Sequence, residues 1–392
     1  MTKYRYLIVG GGMTAAAAVE EIREADKEGS IGLISAEKNP PYDRPPLTKD
    51  LWKGNDFDSI WRETADKQVD LHLGRKVTEL DVKNKRLTDD QNNAYTYERL
   101  LLATGGTPRK LPFGDNKIIY YRTVEDYKKL RQLSKQDLRF AIIGGGFIGS
   151  EIAAALAMND QNVMIAFPEK GINARKFPSG LSDYLNRYYR DRGVQVESGT
   201  MITGLEEDGN GITLKSDNGK EFSADVVVAG IGIQPNVEPA KAAGLDVDNG
   251  IVVDQSMRTS ARDVYAAGDV ANFYAPSLDR RIRVEHEDCA EDTGEVAGKN
   301  MAGSETKYEE LPYFYSDLFD LGYEAVGITD SQLETYADWQ EPNQKGVIYY
   351  LDDGRVRGVV LWNVWGQKDA ARNLIAEPGP FKVQDLKGRI FG

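Results

Sequence analysis

Short apolar runs without polar interruption recur up to about residue 306: Tyr6-Leu7-Ile8-Val9, Leu100-Leu101-Leu102-Ala103, Phe140-Ala141-Ile142-Ile143, Val163-Met164-Ile165-Ala166-Phe167 and Val226-Val227-Val228-Ala229. A strand wetted on one face alternates apolar with polar side chains, so such runs predict strands covered on both faces, as in a parallel sheet. Ala-rich stretches of helical character follow the first and third runs, so residues 4–37 read as strand, helix, strand, and residues 138–169 repeat that plan. Beyond about residue 307 the pattern changes. The segments 346–351 and 356–362 flank Asp352-Asp353-Gly354-Arg355, whose Asp-Gly pair is a hairpin signal, and a short helix is predicted from Gln367 to Ala376. This end reads as an antiparallel sheet with a helix, separate from the parallel units.

Both strand-to-helix junctions are glycine-rich: Gly10-Gly11-Gly12-Met13-Thr14-Ala15 and Gly144-Gly145-Gly146-Phe147-Ile148-Gly149. Gly10 and Gly12, like Gly144 and Gly146, allow a sharp turn and let backbone approach a pyrophosphate. The following helix N-terminus offers free N–H groups and its positive dipole end to the phosphates without a lysine. Ala15 and Gly149 are small enough for helix and strand to pack closely, and Thr14, Phe147 and Ile148 complete the two candidate cofactor-binding turns. About 20 positions further on stand Glu37 and Glu169, at the distance where a carboxylate accepts ribose hydroxyls. One such turn is also an ordinary strand–helix junction; two in one chain, each with its strand, imply two dinucleotides held at once. A carboxylate at Glu169 also repels a ribose phosphate, favouring NADH over NADPH, although Phe167 takes the usual strand-end position and Lys170, Arg175 and Lys176 lie close. Glycine interrupts two further runs, at Ala103-Thr104-Gly105 and at Gly232. Each reads as a strand end approaching a ligand, or as a plain core strand with a turn. The fold class expected is α/β: two Rossmann-like dinucleotide-binding domains plus a C-terminal α+β domain with an antiparallel sheet.

The chain has 392 residues and a formal charge of -13, which disfavours a nucleic-acid partner because phosphate binding needs a basic footprint. One cysteine and two histidines exclude an internal disulfide and most metal sites built on those ligands, so no metal is expected. No apolar stretch is long enough to span a bilayer, no export signal is visible, and a reducing cytoplasm is the default expectation.

Together these segments resemble the flavin-dependent pyridine-nucleotide oxidoreductases of the glutathione-reductase structural class, over nearly the whole chain. Leu102-Ala103-Thr104-Gly105 resembles that family's Ala-Thr-Gly strand, and the segment 259–269, ending in Gly268-Asp269, resembles its second flavin motif. The resemblance implies FAD, with Asp269 on the flavin ribitol, and a nicotinamide domain inserted into a discontinuous flavin domain. The implied boundaries are 1–110 and 235–306 for the FAD-binding domain, 111–234 for the NAD(H)-binding domain and 307–392 for a C-terminal interface domain. The segment 41–49 resembles the ferredoxin-reductase and apoptosis-inducing-factor branch, and no cysteine pair is present for a dithiol relay. The segments 167–171, 283–288, 316–318, 322–327 and 360–363 are most similar to apoptosis-inducing factor, although Tyr315 stands where that pattern commonly has tryptophan.

By that resemblance Lys49 and Glu151 form an ion pair beside the flavin's reactive nitrogen; the plain alternative makes both surface residues. Arg44 contacts the flavin or serves in a structural pair. Glu285 and His286 lie against the flavin's pyrimidine edge, where a helix N-terminus would stabilise negative charge, or His286 is a capping residue. Tyr315 stacks near a cofactor or joins an aromatic core. The cofactors are expected to carry the bond-making. The function expected is hydride transfer from NADH to FAD, then electron transfer to ferredoxin, quinone or oxygen. The alternative is a redox-sensing interaction protein whose NADH-driven reduction controls dimerisation, as a homodimer, or partner binding.

Overall fold

The computed structural model describes residues 1–209 and 211–391. The chain divides into two compact units of three stretches each: Met1–Asp43, Phe57–Thr107 and Gln234–Pro312 in one, Arg44–Asp56, Pro108–Ile233 and Tyr313–Gly392 in the other.

The first unit is organised on a sheet in the order Val69–Leu73, Ile31–Ser35, Thr2–Val9, Ala94–Leu102, Arg86–Asp89, Val77–Asp81, with Val264–Ala266 also paired to Ala94–Leu102. Pairing is parallel from Val69–Leu73 through Ala94–Leu102 and for Val264–Ala266; the last two strands return antiparallel. Crossovers of helical length permit the parallel pairs, and the unbroken apolar runs are buried on both sides as such strands require. Helix Met13–Ala25 packs on helix Glu287–Met301 at backbone distance. A Cβ at Gly294 would lie 2.5 Å from the Thr14 carbonyl oxygen, and one at Gly298 2.5 Å from that of Ala18.

The second unit contains a parallel sheet, Gln195–Ser198, Asn162–Phe167, Arg139–Ile143, Val226–Ala229, Ile118–Tyr120, and a small antiparallel sheet, Ile202–Asp208, Gly211–Ser216, Glu221–Ala224. Ile212, Leu214 and Phe222 of the small sheet join Ala141, Ile143, Ala166 and Val227 of the parallel one in a core. An antiparallel sheet follows in the order Tyr313–Leu318, Leu321–Gly327, Arg355–Trp362, Lys345–Asp352, Glu334–Glu341. The expected hairpin is there: Asp352 pairs with Arg355 across Asp353 and Gly354, both at positive φ (49° and 73°), the combination a two-residue hairpin loop needs. Helix Lys368–Ala376 buries Ala371, Leu374 and Ile375, as the pattern predicted to within a residue.

Candidate functional site

In the first unit the glycine turn follows strand Thr2–Val9. Gly10 has φ +128°, and its amide donates to the Ile34 carbonyl at 2.8 Å. A Cβ there would sit 2.0 Å from the Ala103 carbonyl oxygen, so only glycine lets this turn approach the neighbouring strand end. Gly12 is the N-cap of helix Met13–Ala25, with no side-chain cap among the described residues, and Ala15 and Ala16 are buried beyond it. The helix therefore begins with amide donors that its own side chains leave to another partner. Thr14 lies under Gly268, whose Cβ would meet the Thr14 hydroxyl at 2.3 Å. Ala103 donates to Val9, and Thr104 and Gly105 are clipped by Asn236. The Thr104 hydroxyl donates to the Asn236 carbonyl at 2.8 Å, the Asn236 side-chain amide returns a bond to the Thr104 carbonyl at 2.8 Å, and its backbone amide donates to Gly105. Glu37, just past strand Ile31–Ser35, accepts from the Tyr42 hydroxyl at 2.5 Å. Asp269 is half-buried in a turn whose carbonyl accepts from Arg283, and Arg283 pairs with the exposed Glu285 at 2.9 Å. His286 is the N-cap of helix Glu287–Met301 without a side-chain cap bond, and Glu287 and Asp288 occupy the first turn. Burial pushes the thiol of the fully enclosed Cys289 well up, which makes it an inert packing residue.

The second turn repeats the first. Gly144 has φ +114°, and a Cβ there would lie 2.3 Å from the Gly230 carbonyl oxygen. A Cβ at Gly149 would sit 1.8 Å from the Gly144 carbonyl oxygen. Gly146 differs, because a Cβ there would meet nothing within 4 Å. Protein packing does not require that glycine, whereas close approach of a ligand would. Gly146 also N-caps helix Phe147–Met158 with no side-chain cap among the described residues, and Ile148 is exposed in the first turn. Phe147 packs edge-on against Phe314 at 5.2 Å. Gly232, with φ +88°, lies three residues beyond strand Val226–Ala229, and its carbonyl accepts from the Arg109 amide at 2.9 Å. At the strand end Phe167 is buried against Gly145, and Glu169 is held by the exposed Arg175 at 2.6 Å. Both turns thus open a helix that has no side-chain cap among the described residues, and the second leaves open space at Gly146.

The third cluster lies within the second unit. Lys49 and Glu151 form an ion pair of 2.8 Å, with side chains 8% and 4% exposed. The surface alternative is thereby excluded for both. Lys49 precedes a short turn of helix, Asp50–Trp52, while Glu151 sits on helix Phe147–Met158 one turn beyond the glycines. Two hydroxyls complete the carboxylate's shell: Thr48 at 2.5 Å and Ser316 at 2.6 Å. The Tyr315 ring, 36% exposed, has its centroid 5.4 Å from the Lys49 nitrogen. Arg44 donates to the Arg122 carbonyl at 3.0 Å.

A family model described as Pyridine nucleotide-disulphide oxidoreductase matches residues 4–294. The chain belongs to that family. A second model, Apoptosis-inducing factor, mitochondrion-associated, C-term, matches residues 297–344 and 337–377. Relatives of this pyridine nucleotide oxidoreductase include "Apoptosis-inducing factor 1, mitochondrial" of Dictyostelium discoideum, 39% identical over 95% of this chain and 78% of the relative. The ferredoxin–NAD(+) reductase component of the anthranilate 1,2-dioxygenase system of Burkholderia cepacia is 35% identical over 97% of each. The putidaredoxin reductase chain in a covalent complex with putidaredoxin superposes with a TM-score of 0.91 at 29% identity, over 98% of this chain and 96% of that one. The protein is an FAD-dependent oxidoreductase using NAD(P)H, and its fold is that of the ferredoxin reductases. Among the described residues no helix is long and apolar enough to cross a membrane and no group of His, Cys, Asp and Glu could hold a metal ion.

Asn236, Thr48 and Ser316, each bonded to an expected site residue, were not among the residues expected from the sequence. Thr48 and Ser316 lay inside segments noted for their resemblance, yet an isolated hydroxyl carries no signal. Asn236 follows a proline four residues after Gly232, and nothing local marks it.

Proposed function

We propose that this flavoprotein passes electrons from NADH through FAD to a small one-electron carrier of the iron–sulfur type. The observation that carries the reading is the pair of glycine cradles, each opening an uncapped helix, in one chain that also encloses the Lys49–Glu151 pair. In this reading 1–110 and 235–306 bind FAD, 111–234 bind the nicotinamide nucleotide, and 307–392 form the C-terminal interface domain. Bound FAD supplies the acceptor for hydride and the means of releasing electrons singly.

The residues do the rest. Helix Met13–Ala25 offers its first amides to one pyrophosphate, Glu37 accepts from that ribose, Asp269 from the ribitol, and Ala103, Thr104 and Gly105 leave room at the strand end. Arg44, Glu285 and His286 contact the flavin. Helix Phe147–Met158 serves the second pyrophosphate, Glu169 takes its ribose hydroxyls, and Ile148 and Gly232 bound the nicotinamide. Lys49, Glu151 and Tyr315 govern the electrostatics of hydride arrival: a buried pair is balanced in charge, so it orients a dipole at the reacting atoms without introducing an isolated ion.

The Burkholderia relative is named for a ferredoxin and the putidaredoxin reductase structure holds its carrier, which supports this class of acceptor. The net charge of -13 calls for a local basic patch or a carrier that is not strongly acidic. Steady-state turnover with NADH and a panel of ferredoxin, quinone and oxygen tests it. Fastest turnover with the ferredoxin is expected, and equal, slow rates with all three would overturn it. The alternative reading is a redox-sensing protein in which flavin reduction governs dimerisation or partner binding. Light scattering before and after NADH addition separates the two: unchanged mass goes with the electron-transfer enzyme.

A further inference from the structure

The Glu151 carboxylate is gripped from two other segments of the second unit, one holding Thr48 and Lys49 and one holding Ser316. Lys49 and Ser316 share Oε1, at 2.8 and 2.6 Å, while Thr48 donates to Oε2 at 2.5 Å. All four side chains are buried, with exposures of 7% for Thr48, 8% for Lys49, 4% for Glu151 and 1% for Ser316. The Thr48 hydroxyl also accepts from the Lys49 ammonium at 3.5 Å, closing a ring of ammonium, hydroxyl and carboxylate. The ammonium alone engages one oxygen and would leave Oε2 to rotate or to seek water. Thr48 gives Oε2 its own donor and Ser316 adds a second donor to Oε1, so the carboxylate plane is fixed from both oxygens. Charge-assisted bonds of this kind are the strong ones.

We propose that Thr48 and Ser316 are positioning residues for the redox reaction: their hydroxyls fix the Glu151 carboxylate, and through it the Lys49 ammonium, so that the pair acts as a fixed dipole. The inference rests on the reading that this pair acts on the flavin. It gives the C-terminal antiparallel sheet, through Ser316 on strand Tyr313–Leu318, a part in the redox chemistry in addition to its interface. Ser316 is enclosed while its neighbour Tyr315 is exposed, the alternation expected of a strand. A serine that merely filled space could be alanine, but here alanine would leave a buried carboxylate short of a donor.

The test uses the FAD-loaded protein as Thr48→Ala, Ser316→Ala, the double variant and the conservative Thr48→Ser. Three quantities are read: the midpoint potential of the bound flavin, the rate of its reduction on anaerobic mixing with NADH, and proton exchange of the Lys49 ammonium by nitrogen NMR, with Lys49→Met assigning the signal. Each alanine is expected to slow reduction about tenfold, the rate equivalent of about 1.4 kcal/mol. Both should also shift the potential and speed ammonium exchange, whereas Thr48→Ser stays near the wild type in all three. Unchanged exchange in the double variant, or Thr48→Ser behaving as Thr48→Ala, overturns the positioning role. Faster exchange with potential and reduction rate unmoved shows instead that the pair is positioned but does not act on the flavin, and it is then that underlying reading which falls.

Discussion

At Lys49 and Glu151 a buried ammonium and a buried carboxylate neutralise each other, so removing one leaves the other exposed to a full desolvation penalty. Lys49→Met is expected to lower stability by about 3–5 kcal/mol, in the range found when buried pairs lose a partner. It should slow flavin reduction more than it lowers FAD content. The Lys49→Met/Glu151→Gln double variant should be milder than the two singles added together. Thermal unfolding, FAD stoichiometry and rapid mixing measure the three effects, and additive losses would show that the residues do not interact. Glu169 is a contrasting case. Its pair with Arg175 is largely in solvent on the arginine side, so it contributes little to stability. Glu169→Ala should leave unfolding and FAD content unchanged and narrow the preference for NADH over NADPH, read as the ratio of kcat/KM values; an unaltered ratio would mean the carboxylate does not reach the ribose. At Asp269, alanine should loosen FAD by about 1.5–3 kcal/mol, the worth of a hydrogen bond to a charged acceptor, measurable as faster flavin loss on dilution.

Helix Phe147–Met158 and its N-cap include two glycines with opposite tolerances, Gly149 and Gly146. At Gly149 a Cβ would be 1.8 Å from the Gly144 carbonyl oxygen, a backbone atom that can yield only if the turn opens. Gly149→Ala should therefore destabilise the second unit by about 1–3 kcal/mol, as overpacking does, and abolish nicotinamide binding as well. At Gly146 a Cβ meets no protein atom within 4 Å. Gly146→Ala should fold with an unchanged melting temperature and bind NADH more weakly, because the added methyl occupies space the ligand needs. Calorimetry paired with NADH titration distinguishes these outcomes. A Gly146→Ala protein with wild-type NADH affinity would show that the pyrophosphate does not pass over that residue.

For the whole molecule, each unit contains a carboxylate that responds to acid. In the first, burial works to raise the Asp89 carboxyl, but hydrogen bonds from Asn93, Tyr95 and the Gln91 amide outweigh it and bring it down to about 2 from its usual 3.8. In the second, hydrogen bonds from the Arg139 side chain and amide hold Asp225 down at about 2 from 3.8. A carboxyl lowered on folding stabilises the native state in full above its unfolded value, and that contribution is lost as pH falls through the folded one. Stability should thus be level above about pH 4 and decline between about pH 4 and pH 2 in both units. Asp89→Asn and Asp225→Asn should each flatten that decline while lowering stability at neutral pH. Urea midpoints across the acid range test this, and an unchanged acid slope in both variants would assign the decline to other carboxyls.

Local rules were enough for much of this protein. Unbroken apolar runs meant parallel strands because only strands covered on both faces tolerate them, and glycine at Gly10 and Gly144 meant a sharp turn, which the structure makes at positive φ with no space for a side chain beside the adjacent strand end. The Asp353-Gly354 hairpin followed from the same steric logic. The small antiparallel sheet from Ile202 to Ala224 escaped notice, since its short alternating strands sit among charged residues and draw their apolar partners from strands far away in the sequence. Tertiary structure alone decided the surroundings of Glu151. Lys49 lies 102 residues before it and Ser316 165 after, distances over which no periodicity operates. The Lys49–Glu151 pair could be expected by family resemblance, but the hydroxyls of Thr48 and Ser316 could not: serine and threonine are ordinary surface residues, and only enclosure beside a buried carboxylate gives their single O–H donors a purpose.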